Sequence, residues 1–355
     1  MRAALLGWYA AHRRDLPWRR TGDPYAVWVS EVMLQQTRVS VVVGYFERWM
    51  QLFPTLGHLA RASEDDVLHA WQGLGYYSRA RRLREGARFV CERYGEKLPE
   101  DVERLLTIPG IGPYSAGAIA SIAYGKRAPL VDGNVVRVLC RVFGLRGDPA
   151  KSPLTKALWH LAGELVPEDR PADFNQALME LGATVCTPRR ASCFGCPLAE
   201  RCVALRDGLV EVLPETAARP EPTRVETEAA LIRKNGRWLV LRLPADAPRW
   251  AGMWTFPTVE RSGSEPAGGA AERAARQLCG LEVRLGAELP RIDHQVTRFK
   301  ISLVAFVCEP SNPRARAGQD AAELTWCRPE ELGALAMPVA QRKLARLIGS
   351  GSIRS

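Results

Sequence analysis

Through the first half of the chain and somewhat beyond it, apolar residues recur three and four positions apart, the spacing that gathers them on one face of a helix. Residues 2–13 carry Leu5, Leu6, Trp8 and Tyr9 on such a face, and similar patterns run over 39–53, 79–94, 135–143, 153–165 and 174–181. Ser63-Glu64-Asp65-Asp66 resembles a capping box and predicts a helix start. Between 106 and 134, two short apolar helices flank Pro109-Gly110-Ile111-Gly112, and Val131-Asp132-Gly133-Asn134 follows the second. From 206 to 223 the periodicity weakens into Pro, Glu and Ala, as in a linker. Beyond it, residues 229–233 and 237–242 read as a hairpin across Lys234-Asn235-Gly236, with a further strand over 298–307 and helices near 272–278 and 339–347. The expectation is an all-α region over 1–205, a linker over 206–225 and a smaller α+β domain over 226–355.

Composition narrows the class of partner. A chain of 355 residues has room for two or three domains, each with its own core, and a net charge of +10 favours a polyanion. Arg greatly outnumbers Lys, which suits phosphate forks and equally suits a GC-rich genome. No export signal opens the chain and no apolar run approaches the ~18 residues of a membrane span, so a soluble cytosolic protein is expected. Nine cysteines, an odd number without an export signal, read as thiols or metal ligands ahead of disulfides.

Candidate chemistry lies at a few points. Gly110 and Gly112 let the hairpin turn aim bare N–H groups at a phosphate, although an ordinary helical hairpin has the same glycines. Trp18, set among Arg14, Arg19 and Arg20, either caps the core or stacks on a base. Glu31 sits in an apolar run, where desolvation favours the protonated form of a general acid; the alternative is a glutamate on a helix edge. Gln35-Gln36-Thr37 offers long amides to base edges. Trp71-Gln72-Gly73-Leu74-Gly75-Tyr76-Tyr77-Ser78 is a Gly-flanked aromatic loop able to wedge between bases, and Arg79, Arg81, Arg82 and Arg84 follow it as a DNA surface or a solvated face. Cys186, Cys193, Cys196 and Cys202 form a tight set of soft donors for zinc or an iron–sulfur cluster, with Arg189 and Arg190 in the first intervening loop.

Together these residues resemble the MutY family of adenine DNA glycosylases, in the helix-hairpin-helix glycosylase superfamily. The resemblance is specific over 14–37, 71–79, 106–134 and 174–202 and weaker past 225. It implies a multidomain fold: an all-α helix-hairpin-helix glycosylase domain whose [4Fe–4S] cluster loop, 186–202, holds the cluster on Cys186, Cys193, Cys196 and Cys202, then a smaller α+β Nudix-like domain that reads 8-oxoguanine. By the same matching, Glu31 is the general acid, Asp132 stabilises the sugar cation, Asn134 orients this pair, and Tyr114 stands where bifunctional relatives carry a lysine. Arg14, Trp18, Arg19 and Glu180 belong to the adenine-binding set, Gln36 and Tyr76 are the residues inserted into the base stack, and Leu74 is a further substrate-binding residue. Gly110, Gly112, Arg189 and Arg190 face the DNA backbone. The implied partner is duplex DNA with 8-oxoguanine·A or G·A mispairs, bound by a monomer in the cytoplasm, at the nucleoid, with no membrane.

Two stretches depart from the family pattern. The carboxylates of a magnesium-dependent Nudix helix are replaced by Ala274, Gln277 and Leu278, so nucleotide hydrolysis is not expected. In the lesion-reading loop His294 is retained and Val296-Thr297-Arg298 replaces the usual triad, leaving Thr297 and Arg298 as the candidate readers. The rival readings are an endonuclease III-like glycosylase and lyase, a non-catalytic lesion binder, and zinc in the cysteine cage.

Overall fold

The computed structural model describes residues 1–217, 220–312, 314–318 and 320–353. Ala218 and Arg219, inside the expected linker, and Arg354 and Ser355, at the end of the expected second domain, lie outside the described residues. The chain divides into two compact units, Met1–Ala62 with Ser78–Ala218, and Ser63–Tyr77 with Arg219–Ser355. No described helix is long and apolar enough to cross a membrane.

The helices in chain order are α1 (Arg2–His12), α2 (Pro24–Leu34), α3 (Val39–Leu52), α4 (Leu56–Arg61), α5 (Glu64–Ala70), α6 (Ser78–Tyr94), α7 (Val102–Leu105), α8 (Pro113–Ala118), α9 (Gly133–Phe143), α10 (Ser152–Leu165), α11 (Pro171–Thr184) and α12 (Val203–Arg206). All but α5 belong to the first unit. There α2 is apolar on every side, with its residues from Tyr25 to Met33 all buried, so it forms a central rod and not an amphipathic surface helix. Asp23 caps it by accepting the Tyr25 N–H at 3.0 Å, and Pro24 starts it with a fixed φ. Helix α9 is amphipathic, burying Val135, Val138, Leu139 and Val142 against Phe174, Leu178 and Leu181 of α11. Gly144, at φ +65°, ends it in the left-handed region, and the Leu145 N–H returns to the Cys140 carbonyl at 2.9 Å.

The hairpin glycines divide their work. Gly110 has φ +83°, and a Cβ there would stand 2.8 Å from the Cβ of Arg82 on α6. Gly112 is the N-cap of α8 in extended backbone with open space around it, so it needs no special angle and instead leaves the helix terminus uncovered. The small-residue run continues through a π-helical turn, Ile119–Ala123. Gly117 within α8 is fixed by contact: a Cβ would fall 1.9 Å from the Pro129 carbonyl oxygen.

The second unit adds α5, α13 (Gly269–Cys279), α14 (Val339–Gly349) and eight strands: β1 (Thr223–Lys234), β2 (Arg237–Arg242), β3 (Trp254–Thr255), β4 (Thr258–Glu260), β5 (Val283–Glu288), β6 (Ile292–Val296), β7 (Phe299–Pro310) and β8 (Glu323–Cys327). The strand β1 starts inside the stretch whose sequence reads as linker. The main sheet order is β3-β2-β1-β7-β5, with β4 on β1, β6 on β7 and β8 on β2; β1 and β7 run parallel. Alternation along β1 sends Ala229 and Leu231 to one face with Leu344 and Ile348 of α14, and Ala230 and Ile232 to the other with Ala274 and Leu278 of α13. The sheet is therefore a middle layer. Asn235 and Gly236, with φ of 50° and 72°, make the tight turn between β1 and β2 that a two-residue hairpin of right-handed twist requires.

Helix α5 begins where the capping pattern places it, the Ser63 hydroxyl oxygen accepting the Asp66 N–H at 3.1 Å. Its segment is tied into the second unit by Asp65 to Arg242 at 2.8 Å, and by Gln72, which donates to the Met337 carbonyl and accepts from Arg342, both at 2.8 Å. Buried Glu228 accepts the N–H groups of Ala270 and Ala271 at the start of α13, at 3.0 and 3.2 Å.

Candidate active site

A cavity of about 700 Å³ opens in the first unit, and Glu31, Tyr114, Asp132, Asn134, Arg14, Trp18, Arg19, Gln36 and Glu180 all line it. Glu31 enters from the central rod α2 and is 4 % exposed. Burial raises its carboxyl to about 7, assisted by the charge of Asp132 and opposed by the hydrogen bond from the Tyr114 hydroxyl and by Arg19. Near neutral pH this group therefore holds a proton that it can give up. Tyr114, on α8, is itself pushed well above the ordinary tyrosine range by burial and by the neighbouring carboxylates, so it remains a donor; its hydroxyl also lies 3.4 Å from the Met179 sulfur.

Asp132 is held differently. It is the N-cap of α9, its Oδ1 accepting the Val135 N–H at 2.7 Å and its Oδ2 accepting from the Asn134 amide at 2.8 Å. Burial raises its carboxyl, and these two donors pull it back. Asn134 is fixed in turn by Arg137, whose Nη2 donates to the Asn134 side-chain oxygen at 2.8 Å and to the Gly182 carbonyl at 2.6 Å, while Nε reaches the Cys186 carbonyl at 2.6 Å. A Cβ on Gly182 would stand 2.6 Å from that of Asn134, so α11 can approach α9 here only as glycine.

At another wall, Glu180 is clamped between two arginines. Arg14 donates from its backbone N–H at 3.1 Å, from Nε at 2.7 Å and from Nη2 at 2.8 Å, and Arg19 adds Nη2 at 2.9 Å. Burial works to raise the Glu180 carboxyl, and the guanidinium contacts override it and bring it down to about 2. Trp18 packs edge-on against Phe46 at 5.5 Å, as a core cap would, and also lines the cavity.

The remaining sequence-selected residues are scattered. Gln36 is exposed with φ +58°, in the tight turn after α2. Tyr76 is 43 % exposed at φ +46°, whereas Leu74 is buried. In the second unit, Thr297 and Arg298 form the exposed two-residue turn between β6 and β7, with Thr297 at φ +51° and the Arg298 guanidinium 5.1 Å from the Phe299 ring centre. His294 lies beside Trp250, and burial lowers its pKa, keeping the imidazole neutral at pH 7. Of the basic run on α6, Arg82 is exposed, but Arg79 and Arg84 turn donors onto backbone carbonyls, so these two are neither simply solvated nor open to DNA.

Cys186, Cys193, Cys196 and Cys202 line one small cavity with Arg141 of α9. All four are soft thiol donors, a set that zinc and an iron–sulfur cluster both accept. An all-sulfur set standing around a space fits a polynuclear cluster, whose thiolates attach at its corners. Arg141, 2 % exposed, donates to the Cys186 sulfur at 3.3 Å, to the carbonyls of Thr187 at 2.8 Å and Pro188 at 3.3 Å, and to Leu213 at 2.9 Å. Arg189 and Arg190 are exposed on the same loop. The sequence reading passes over Arg137 and Arg141. A usable signal exists for Arg141, a charged residue directly between Leu139, Cys140 and Val142 on a helix that must be buried; Arg137 carries none.

The family model described as HhH-GPD superfamily base excision DNA repair protein matches residues 29–164, and that of the NUDIX domain matches 228–347. The adenine DNA glycosylase of Mus musculus is 38 % identical over 401 residues, covering 98 % of this chain and 77 % of that protein. That of Homo sapiens is 54 % identical over 212 residues, covering 57 % of this chain and 39 % of the human protein. The solved structure of a thermostable thymine-DNA glycosylase aligns at a TM-score of 0.53 with 32 % identity, covering 58 % of this chain and 94 % of that one.

Proposed function

Because the chain belongs to the adenine DNA glycosylase family, we infer that it excises adenine paired with 8-oxoguanine or guanine from duplex DNA, hydrolysing the N-glycosyl bond without cutting the strand. The observation that carries this reading is the pairing, on one cavity, of a buried carboxyl raised to about 7 with an aspartate capped by a helix N-terminus. The target nucleotide rotates out of the stack, since its glycosidic bond is unreachable there. Glu31 gives its proton to adenine N7, the C1′–N9 bond breaks with its electrons passing to the base, and adenine leaves neutral. Asp132 faces the cationic sugar and stabilises it, electrostatically or through a transient ester, until water adds at C1′ and its released proton restores the Glu31 carboxyl. Asn134, itself held by Arg137, orients Asp132, and Tyr114 orients Glu31.

The working parts divide between the helical unit, Met1–Ala62 with Ser78–Ala218, and the mixed unit, Ser63–Tyr77 with Arg219–Ser355. Arg14, Trp18, Arg19 and Glu180 form the wall that receives adenine; Gln36 and Tyr76 enter the stack, while Leu74, being buried, supports the loop that carries Tyr76; Gly110, Gly112, Arg189 and Arg190 meet phosphates. His294, Thr297 and Arg298 read the base opposite adenine. Cys186, Cys193, Cys196 and Cys202 would hold a [4Fe–4S] cluster, which when bound supplies a rigid cross-link for the 186–202 loop. The protein acts as a monomer on DNA in the cytoplasm.

The test is single-turnover adenine release from duplexes carrying 8-oxoguanine·A, G·A and T·A, for wild type and for Thr297→Ala. Release opposite 8-oxoguanine should be fastest and should slow in the variant. Release from none of the three would sink the reading.

A further inference from the structure

Gln36 occupies a backbone position that its residue type disfavours. The chain leaves α2 through a turn closed by the Thr37 N–H on the Leu34 carbonyl at 3.3 Å; Gln35 has φ −58° and ψ 110°, and Gln36 has φ +58°. These are the angles of a type II turn, whose second central residue is ordinarily glycine or asparagine. The type I alternative differs by a flip of the central peptide, which would return Gln36 to negative φ and re-aim its side chain. What separates the two states is the direction of the Gln35 carbonyl.

That carbonyl is held. Arg79, in the first turn of α6, places Nη1 at 2.5 Å from the Gln35 oxygen, 2.8 Å from the Val32 oxygen and 3.1 Å from the Met33 oxygen, and Nη2 at 3.3 Å from the Thr37 hydroxyl. A cation at this place also opposes the negative end of the α2 dipole. We propose that Arg79 is a positioning residue that latches the Gln35–Gln36 peptide in its flipped state and so presents the Gln36 amide to DNA at the mouth of the cavity. The proposal rests on the DNA-binding reading of Gln36 and deepens it. Arg79 contributes here as a donor to backbone and not as a phosphate contact, so its action passes through Gln36.

A double-mutant cycle on the full chain tests this, with Kd measured for a duplex holding one 8-oxoguanine·A pair whose adenosine carries a 2′-fluoro group to block cleavage. Losing the latch exposes the cost of a non-glycine residue at positive φ, so Arg79→Met and Gln36→Ala should each weaken binding about tenfold, and the double variant should stay within about twofold of either. Additive losses, about a hundredfold in the double variant, would overturn the latch, as would wild-type affinity in Arg79→Met. So would a salt dependence of log Kd shallower by about one unit in Arg79→Met, the signature of a lost phosphate contact. If Arg79→Met fails to fold, Arg79→Lys keeps the charge but cannot span the same carbonyls, and the same cycle is run with it. This cycle reads binding alone. Adenine release by wild type on the unmodified duplex is scored separately, so failure of the latch and failure of the glycosylase reading are told apart.

Discussion

Glu31 and Glu180 share one cavity, yet their surroundings drive them apart, to about 7 and about 2. The difference lies in who faces each carboxylate: an uncharged hydroxyl for the first, two guanidinium groups for the second. If Glu31 is the acid, as proposed, the single-turnover rate should fall tenfold per unit above about pH 7, and it should fall again at acid pH as the Asp132 carboxylate takes up a proton. A profile that rises instead would assign the proton elsewhere. Glu31→Gln should lower the rate by about a hundredfold or more. The same substitution has a stability consequence of opposite sense. Glu31 has a folded value above its unfolded one, so its contribution to stability is intact below about pH 4.5 and is lost as pH rises through about 7. By pH 8 the buried anion costs about 3 kcal/mol, and Glu31→Gln should melt higher than wild type there and at the same temperature near pH 4.5. Tyr114 offers no amine, so borohydride should trap no covalent DNA adduct; trapping would favour the lyase reading.

Elements carry these residues with unequal visibility in the sequence. The hairpin turn, the Asp132 cap and the β1–β2 turn can be read because each depends on a local rule: glycine at positive φ, an acceptor before a helix, Asn-Gly between alternating strands. Arg137, Arg141 and the inward aim of Arg79 cannot, because an arginine on a helix reads as solvated until the element beside it is known. The π turn at Ile119–Ala123 is likewise unmarked by composition, being a response to packing. Gly117 gives the sharpest element-scale prediction. Its missing side chain lets α8 touch the Pro129 carbonyl, so Gly117→Ala should cost about 3 kcal/mol or more and lower the melting temperature, although alanine is the better helix former. A neutral result would mean that the 129–131 segment can retreat.

At the scale of the molecule, positive charge sets the terms of association. If exposed Arg82, Arg189 and Arg190 together with the uncovered hairpin terminus contact about six phosphates, as proposed, binding should weaken roughly a thousandfold between 50 and 200 mM salt. A flat response would place the DNA surface elsewhere. The sequence pattern separates a helical first part from a mixed second part, but it does not assign Ser63–Tyr77 to the second unit, because the ties through Asp65 and Gln72 join residues far apart in the chain. The second unit also carries a small irony at the start of α13. A helix terminus of this kind is an open seat for phosphate, and here Glu228 of the same sheet already occupies it with both its neighbours' amides satisfied. The socket is plugged from within. With that port closed, a change in the exposed turn at Thr297 and Arg298, on the far side of two strands from it in the chain, leaves the Glu228 plug and its two amides as they are.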